Sequence, residues 1–397
     1  MNPLVLERFT ATSCIGTGLA ATLGSLTAQR SGLAHCKFET ATIDTYIGEV
    51  SGVDAQRLPD HLSIFDCRNN RLAELALRQD GFFDAVGEIA ARWGRRRVGV
   101  FIGTSTAGIM QTELAYRSRD PISGALPPSF EYGTTHNSFS VADYTRRRCG
   151  LEGPAMAVSS ACASSAKAFG TARRMIESGL IDAALVGGTD SLCLTTLYGF
   201  HSLQLSSPAP CRPFDIARDG ISIGEAAAFA LLERVSDKTR ADSVLLYGVG
   251  ESSDAHHMSA PHPEGLGAKR AIQAALAAAG LEPGDIDYIN LHGTGTPSND
   301  RSESQAVTSI FGPTTPCSST KGATGHTLGA AGALEAVISA LAIQNGLMPG
   351  GVQTTRVDPT LTAHYIKENR RAPVRRVLSN SFGFGGANCS LIFGLAG

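Results

Sequence analysis

Ala157-Val-Ser-Ser-Ala-Cys-Ala-Ser-Ser-Ala166 decides how the rest of this chain is read. Cys162 stands between a short apolar run and a long stretch of helix formers, Ala163 to Leu180. Small residues crowd the turn, so the backbone can bend sharply and a second segment can come close. A cysteine at a helix N-terminus meets unpaired backbone N–H groups and the positive end of the helix dipole, and both favour the reactive thiolate. The ordinary alternative is a buried cysteine packing as a small hydrophobe. Two histidine motifs further along weigh against it.

Outward from the turn, Ala155–Ser159 reads as a strand entering it and Ala163–Gly179 as a helix leaving it, followed by a buried strand, Ala183–Gly188. Upstream, Arg97–Gly103 is a buried strand ending in Gly103-Thr-Ser-Thr-Ala-Gly108, with a helix from Ile109 to Tyr116. Leu72–Leu77 and Phe82–Trp93 carry apolar residues at spacings of three and four and read as helices; a first strand is expected near Leu4–Glu7. Residues 117–150, with Pro121, Pro127 and Pro128, read as an irregular surface excursion, and Ser206–Asp219 as a long loop. Gly224–Arg234 reads as a strand despite its alanines, with helix as the alternative.

Downstream come strand Val244–Gly250 and helix Leu266–Ala279. Strand Ile286–Leu291 runs into His292-Gly-Thr-Gly-Thr-Pro297, followed by helix Asp300–Ile310. Strand Pro316–Thr320 runs into Lys321-Gly-Ala-Thr-Gly-His326, followed by helix Ala330–Asn345. Strands Val377–Ser381 and Cys389–Phe393 flank Phe382-Gly-Phe-Gly-Gly-Ala-Asn388. The strand, strand, turn and helix plan thus occurs twice, once ending at Cys162 and once at His326. Two such halves related by a pseudo-twofold would face both turns across one pocket. The alternation predicts an α/β class with largely buried sheets. A chain of 397 residues is long for one core, so two halves are expected: 1–240 carrying the cysteine and 241–397 carrying both histidines.

Composition sets the limits. Hydrophobic residues at 43% and charged residues at 18% describe a well-buried globule. A net charge of −2 gives no support to bulk nucleic-acid binding, and no apolar run reaches membrane-spanning length. Basic runs at Arg95–Arg97, Arg146–Arg148, Arg370–Arg371 and Arg375–Arg376 read as solvated faces, with docking to an acidic partner as the alternative. The nine cysteines form no CxxC pair, and the N-terminal residues show no secretory pattern, so reduced thiols in the cytoplasm are expected. No ligand pair has structural-zinc spacing, and no P-loop or dinucleotide fingerprint is present, so neither metal nor cofactor is expected.

The residues suit thioester chemistry, which needs a nucleophile, an oxyanion hole and donors for a developing enolate. Cys162 supplies the first, and its own N–H one oxyanion donor. The turn Gly383-Phe-Gly-Gly386 can present a second N–H. Neutral imidazoles at His292 and His326, aimed at one point, would stabilise an enolate oxygen. A buried Lys321 would need a carboxylate, and Glu335 and Glu303 are both available.

Together these motifs, with Val186-Gly-Gly-Thr-Asp190, Arg212-Pro-Phe-Asp215, Gly224-Glu-Ala226, Ser252-Ser-Asp254 and Asn380-Ser-Phe382, resemble the β-ketoacyl-acyl carrier protein synthases. The likeness is to the elongating, Cys-His-His branch and runs from residue 97 to the C-terminus. It implies a thiolase-like fold of two pseudo-duplicated α/β halves in five layers (α-β-α-β-α). It also implies decarboxylative Claisen condensation of malonyl-carrier protein with a Cys-bound acyl chain, in fatty acid or polyene/polyketide elongation. By that resemblance Cys162 takes the acyl chain, and His292 and His326 assist decarboxylation. Lys321 with Glu335 orders the site, and Phe384 gates the pocket. Thr294 and Thr296 meet the pantetheine arm of acyl carrier protein, Gly385 belongs to the substrate-binding turn, and Thr106 stands at the pocket entrance. The partners implied are acyl carrier protein and a second copy or a homologous ketosynthase-like subunit. Arg68 and Arg71, or Arg146–Arg148, are the candidate docking face. Two other functions stay in view: a thiolase-like acyltransferase using coenzyme A, with Cys389 as its only candidate second cysteine, and a non-catalytic chain-length-factor-like subunit.

Overall fold

The computed structural model describes residues 2–397. Its main sheet has eleven strands, ten of them on one path. In chain order these ten are β1 (Leu4–Ser13), β2 (Val98–Gly103), β3 (Ala155–Val158), β4 (Ala183–Asp190), β5 (Ala226–Arg234), β6 (Val244–Ser253), β7 (Tyr288–Asn290), β8 (Cys317–Ser318), β9 (Arg376–Phe382) and β10 (Ala387–Leu395). The first five lie in the order β3-β2-β4-β5-β1 and the second five in the order β8-β7-β9-β10-β6. In each set the second strand runs parallel to the first and third, and the remaining pairs are antiparallel. One topology is therefore built twice. The sets meet only where Leu4 and Val5 pair with Leu246 and Leu245.

Side chains alternate across each strand, and the alternation sorts them into layers. On β5, Ala227, Phe229 and Leu231 face one outer core while Ala228, Ala230 and Leu232 face the central one. On β10, Leu391 and Phe393 face the centre and Ile392 the other outer core. Helices α1 (Arg68–Leu77), α2 (Phe82–Trp93) and α3 (Ser140–Arg148) cover the first outer face. Helices α5 (Leu266–Ala279) and α6 (Pro297–Phe311) cover the second. Between the sheets lie α4 (Ser164–Glu177) and α7 (Ala331–Asn345). This is the five-layered thiolase-like arrangement.

The position of α7 explains its composition. A helix between two sheets meets apolar neighbours all round, so it has no polar face. Residues 328–345 are long and apolar enough by composition to cross a membrane, yet 89% of that window is buried inside the protein.

The expected strands and most helices lie where the sequence placed them, including Ala226–Arg234 as strand. The 117–150 excursion is less irregular than expected, because α3 closes it. Its Val141, Ala142 and Tyr144 are buried, and the Tyr144 hydroxyl donates to Glu74 at 2.7 Å. Helices Leu19–Thr27 and Leu194–Ser202 were not expected. Their Thr and Gly content makes them weak helix formers held by tertiary packing.

Cys162 and His326 come together because α4 and α7 cross closely. A Cβ built on Gly332 would lie 2.7 Å from the backbone nitrogen of Ala166. Gly332→Ala is therefore expected to lower unfolding stability by about 1–3 kcal/mol in urea titrations, through overpacking. The Cys162 and His326 turns should move apart as well, because the same crossing sets the distance between them. Unchanged stability would show that the helices are free to separate.

Candidate active site

Cys162 does not sit within the helix. It lies one residue before the N-cap of α4, Ala163, on a turn held by Ala161 at φ +50°. A non-glycine residue in the left-handed region is a sparsely populated conformation maintained by its surroundings. Gly383 rests against this turn; a Cβ there would come within 3.1 Å of the Cys162 nitrogen and the Ser160 oxygen. That close approach lets the Phe384 N–H reach the Cys162 sulfur beside Cys162's own N–H. The two expected oxyanion donors thus converge on one atom.

The ionisation differs from expectation. Burial pushes the Cys162 thiol up to about 11, and the Lys321 charge and the two N–H groups only partly pull it back. Complete burial costs a thiolate its hydration, and here that outweighs the favourable field at the helix start.

His326 Nε2 lies 3.1 Å from Cys162 Sγ, and the Leu328 N–H donates to His326 Nδ1 at 3.2 Å. An Nδ1 that accepts cannot carry the proton in a neutral ring, so the hydrogen is on Nε2, facing the sulfur. His292 packs edge-on to His326, with ring centroids 5.2 Å apart. The ligand atoms of Cys162, His292 and His326 all lie within 4.8 Å of one another. Three such groups could be taken for a metal site, but an Nε2–H donor offers no lone pair to a cation, and the Lys321 ammonium repels one.

Lys321 pairs with Glu335, both buried, which decides between the two carboxylates. Burial pushes Glu335 upward and the Lys321 charge draws it back. Glu303 does other work. Its Oε1 accepts from the His292 N–H at 2.8 Å, and its Oε2 from the Gly293 N–H at 2.7 Å. It clamps the backbone that carries His292. Burial, then the Lys321 charge, push both histidines well below the ordinary imidazole range.

A narrow cavity of about 60 Å³ joins Cys162, His292, His326, Phe384, Thr294 and Thr296. The two threonine hydroxyls bond each other at 2.9 Å, and Thr296 caps α6. Phe384 packs on Phe200 with ring centroids 5.6 Å apart. Phe200, Leu205 and Ile221 complete the apolar wall; none belongs to a polar motif, so the sequence alone does not mark them.

Several expected placements change. Thr106 does not line this cavity; it is buried, with its hydroxyl and N–H on Asp190. Gly385 is exposed, and its N–H donates to the Met258 carbonyl, tying the Phe384 turn to the loop whose Ser259, Ala260 and Pro261 line the cavity. Arg68 is only 4% exposed, held by both oxygens of Glu225 and by Asp54, so it offers no docking charge. Arg71 is engaged by Asp66, Arg146 and Arg147 by Asp143, and Arg148 by Glu74. Cys389 is buried within β10, where burial raises its thiol far above the ordinary range. It is no second nucleophile beside Cys162.

A cysteine, two neutral imidazoles and paired N–H donors at the meeting of two duplicated halves define a thiolase-fold acyltransferase. Family models for the β-ketoacyl synthase N-terminal and C-terminal domains match residues 76–238 and 244–355. The mitochondrial 3-oxoacyl-[acyl-carrier-protein] synthase of Arabidopsis thaliana is 41% identical over 262 residues, 62% of this chain and 57% of that one. Nodulation protein E of Rhizobium meliloti is 34% identical over 365 residues, 87% of this chain and 88% of that one. A ketosynthase from Xenorhabdus doucetiae, solved in complex with its chain length factor, superposes with a TM-score of 0.89 at 38% identity, covering 100% of this chain and 98% of that one. The chain belongs to the β-ketoacyl synthase family. It is an acyltransferase of the elongating type, acting by condensation.

Two measurements check the electrostatics. Lys321→Met leaves Glu335 buried and unpaired and should cost about 3–5 kcal/mol of stability, much of it recovered in Lys321→Met/Glu335→Met. No recovery in the double variant would contradict the pairing. The histidines should stay neutral in ¹⁵N NMR spectra down to about pH 6, where an ordinary imidazole is largely charged. Their folded pKa lies below the unfolded one, so their contribution to stability is present above the unfolded value and is lost progressively as pH falls from it toward the folded one.

Proposed function

We propose that Cys162 is the nucleophile and that the reaction runs in two halves. In the first, Cys162 sulfur attacks the acyl thioester of a carrier protein's pantetheine arm. The tetrahedral oxyanion is held by the N–H groups of Cys162 and Phe384. The pantetheine sulfur leaves and takes the proton that Cys162 gives up, so no external base is consumed. In the second, malonyl-carrier protein loses CO₂, and His326 and His292 hold the enolate oxygen while its carbon attacks the acyl-cysteine. The Cys162 sulfur then leaves and takes a proton from solvent, the one proton that the condensation consumes.

The observation that carries this reading is the Nε2–H of His326, fixed by the Leu328 amide and aimed at Cys162. A neutral donor suits an enolate oxygen and does not suit a general base. Thr294 and Thr296 line the approach and are suited to the amide groups of the pantetheine arm. Lys321 with Glu335 sets the local charge. The cavity is too small for an acyl chain, so Phe384 and Phe200 must part for loading, which gives Phe384 its gating role.

The division into 1–240 and 241–397 falls between β5 and β6 and fits the repeated topology. The second subunit is proposed to be another ketosynthase-like chain. Strand β3 is the outermost of its set, with one edge unpaired and Met156 45% exposed, and such an edge invites a partner strand. The Xenorhabdus ketosynthase and its chain length factor make a heterodimer the favoured form. All nine cysteines are free, which fits a reducing cytoplasm.

Intact-mass spectrometry tests the central assignment. Incubation with acyl-carrier protein should add one acyl group to Cys162, and malonyl-carrier protein should then discharge it as a β-ketoacyl product. Cys162→Ala should take up no acyl group while keeping its fold. An acyl adduct on any other residue, or condensation surviving in Cys162→Ala, would overturn the assignment.

A further inference from the structure

Asp190 ends β4 fully buried, and no Lys or Arg lies within ion-pairing distance of it among the described residues. Six donor groups converge on its carboxyl group instead. Thr104 Oγ1, the Ser105 and Thr106 N–H groups and the Thr106 hydroxyl reach Oδ1. The Ser105 hydroxyl and the Gly329 N–H reach Oδ2. Every partner donates, as suits a carboxylate. The donors come from two turns far apart in sequence: the one after β2 in the cysteine half, and the one after His326 in the other.

The second turn is under strain. Leu328 lies between His326 and Gly329 at φ +52°, a region L side chains seldom adopt, and it is buried. Its N–H is the one that donates to His326 Nδ1. The next N–H along, that of Gly329, is the one Asp190 holds. A Cβ on Gly329 would come within 2.8 Å of Asp190 Oδ2 and of the Ser105 nitrogen, so the approach requires glycine.

We propose that Asp190 is a positioning residue for His326. By anchoring the Gly329 amide it keeps Leu328 in the left-handed conformation, and the Leu328 amide in turn fixes the proton of His326 on Nε2, facing the reacting atoms. A buried carboxylate of the N-terminal half thus sets the tautomer of an imidazole supplied by the C-terminal half. The same carboxylate pins the Thr104–Thr106 turn, so the relative placement of the two halves at the site passes through one side chain.

The proposal's rate prediction rests on the enolate role given to His326, but its spectroscopic prediction does not. Asp190→Asn keeps the size of the side chain but turns one acceptor into a donor that faces N–H and O–H groups. In ¹⁵N-histidine spectra of the full chain, with His326 assigned by its absence from His326→Ala, the wild type should show a protonated Nε2 and a bare Nδ1. Asp190→Asn should show a mixture of tautomers. Its decarboxylation of malonyl-carrier protein should fall about ten- to a hundredfold. Acyl loading of Cys162 should change by no more than about threefold, a split that general loosening of the fold would not produce. A folded Asp190→Asn protein that keeps the single Nε2–H signature overturns the proposal. A tautomer mixture with both half-reactions slowed equally would leave Asp190 positioning His326 and would count against the enolate role instead. Should Asp190→Asn fail to fold, Ser105→Ala removes only the exposed hydroxyl that bonds Oδ2 and should give a smaller shift in the same signal; an unchanged His326 signal there also overturns it.

Discussion

The close crossing of the two central helices is the constraint on which the site depends. The helix after Cys162 and the helix after His326 lie between two sheets, and Gly332 lets one backbone rest on the other at Ala166. Each helix begins just after a turn that carries a reactive side chain. Bringing the helix starts together therefore brings sulfur and imidazole to 3.1 Å. Duplication supplies the symmetry, and small residues supply the distance. An apolar helix with no polar face is the consequence, because both of its sides are core.

Within that frame, electrostatics decides the chemistry. Three groups that could each take a charge are buried side by side, and burial keeps the thiol protonated and the imidazoles neutral. The Lys321–Glu335 pair carries charge beside all three, and its ammonium acts on them in the same sense: it lowers the thiol and disfavours protonated histidine. The site is thus poised to receive negative charge at the moment it forms, on a tetrahedral oxyanion or an enolate, rather than to hold it at rest. Donors that are already oriented need no reorganisation then, which is where electrostatic stabilisation is most effective.

What the sequence shows and what it hides divide along physical lines. Cys162, His292, His326 and the Phe384 turn lie in local Gly- and Ser/Thr-rich motifs at strand ends, so their roles are legible from neighbouring residues alone. The repeated strand order is legible too, because buried strands read as short apolar runs. The partner of Lys321 is not, since Glu335 and Glu303 are both near in sequence and only the fold separates an ion pair from a backbone clamp. Arg68 looks like a surface charge until Glu225, 157 positions away, is brought against it. Thr106 is drawn from the pocket by Asp190, and Asp190 joins turns 86 and 139 positions away, which no window of sequence reveals. The thiolate expected at a helix start fails for a similar reason: burial of the whole turn, set by tertiary packing, outweighs a local field.

The account stands on the claim that His326 serves the enolate and not the nucleophile. Its most direct test is to time the two half-reactions separately in His326→Ala: acyl transfer to Cys162 by quenched-flow mass spectrometry, and CO₂ release from malonyl-carrier protein. Losing one such donor typically costs about 10²–10³ in rate. The account predicts a loss of that size in CO₂ release with acyl transfer largely preserved. An equal loss in both half-reactions would contradict it, and would make His326 the base that activates Cys162.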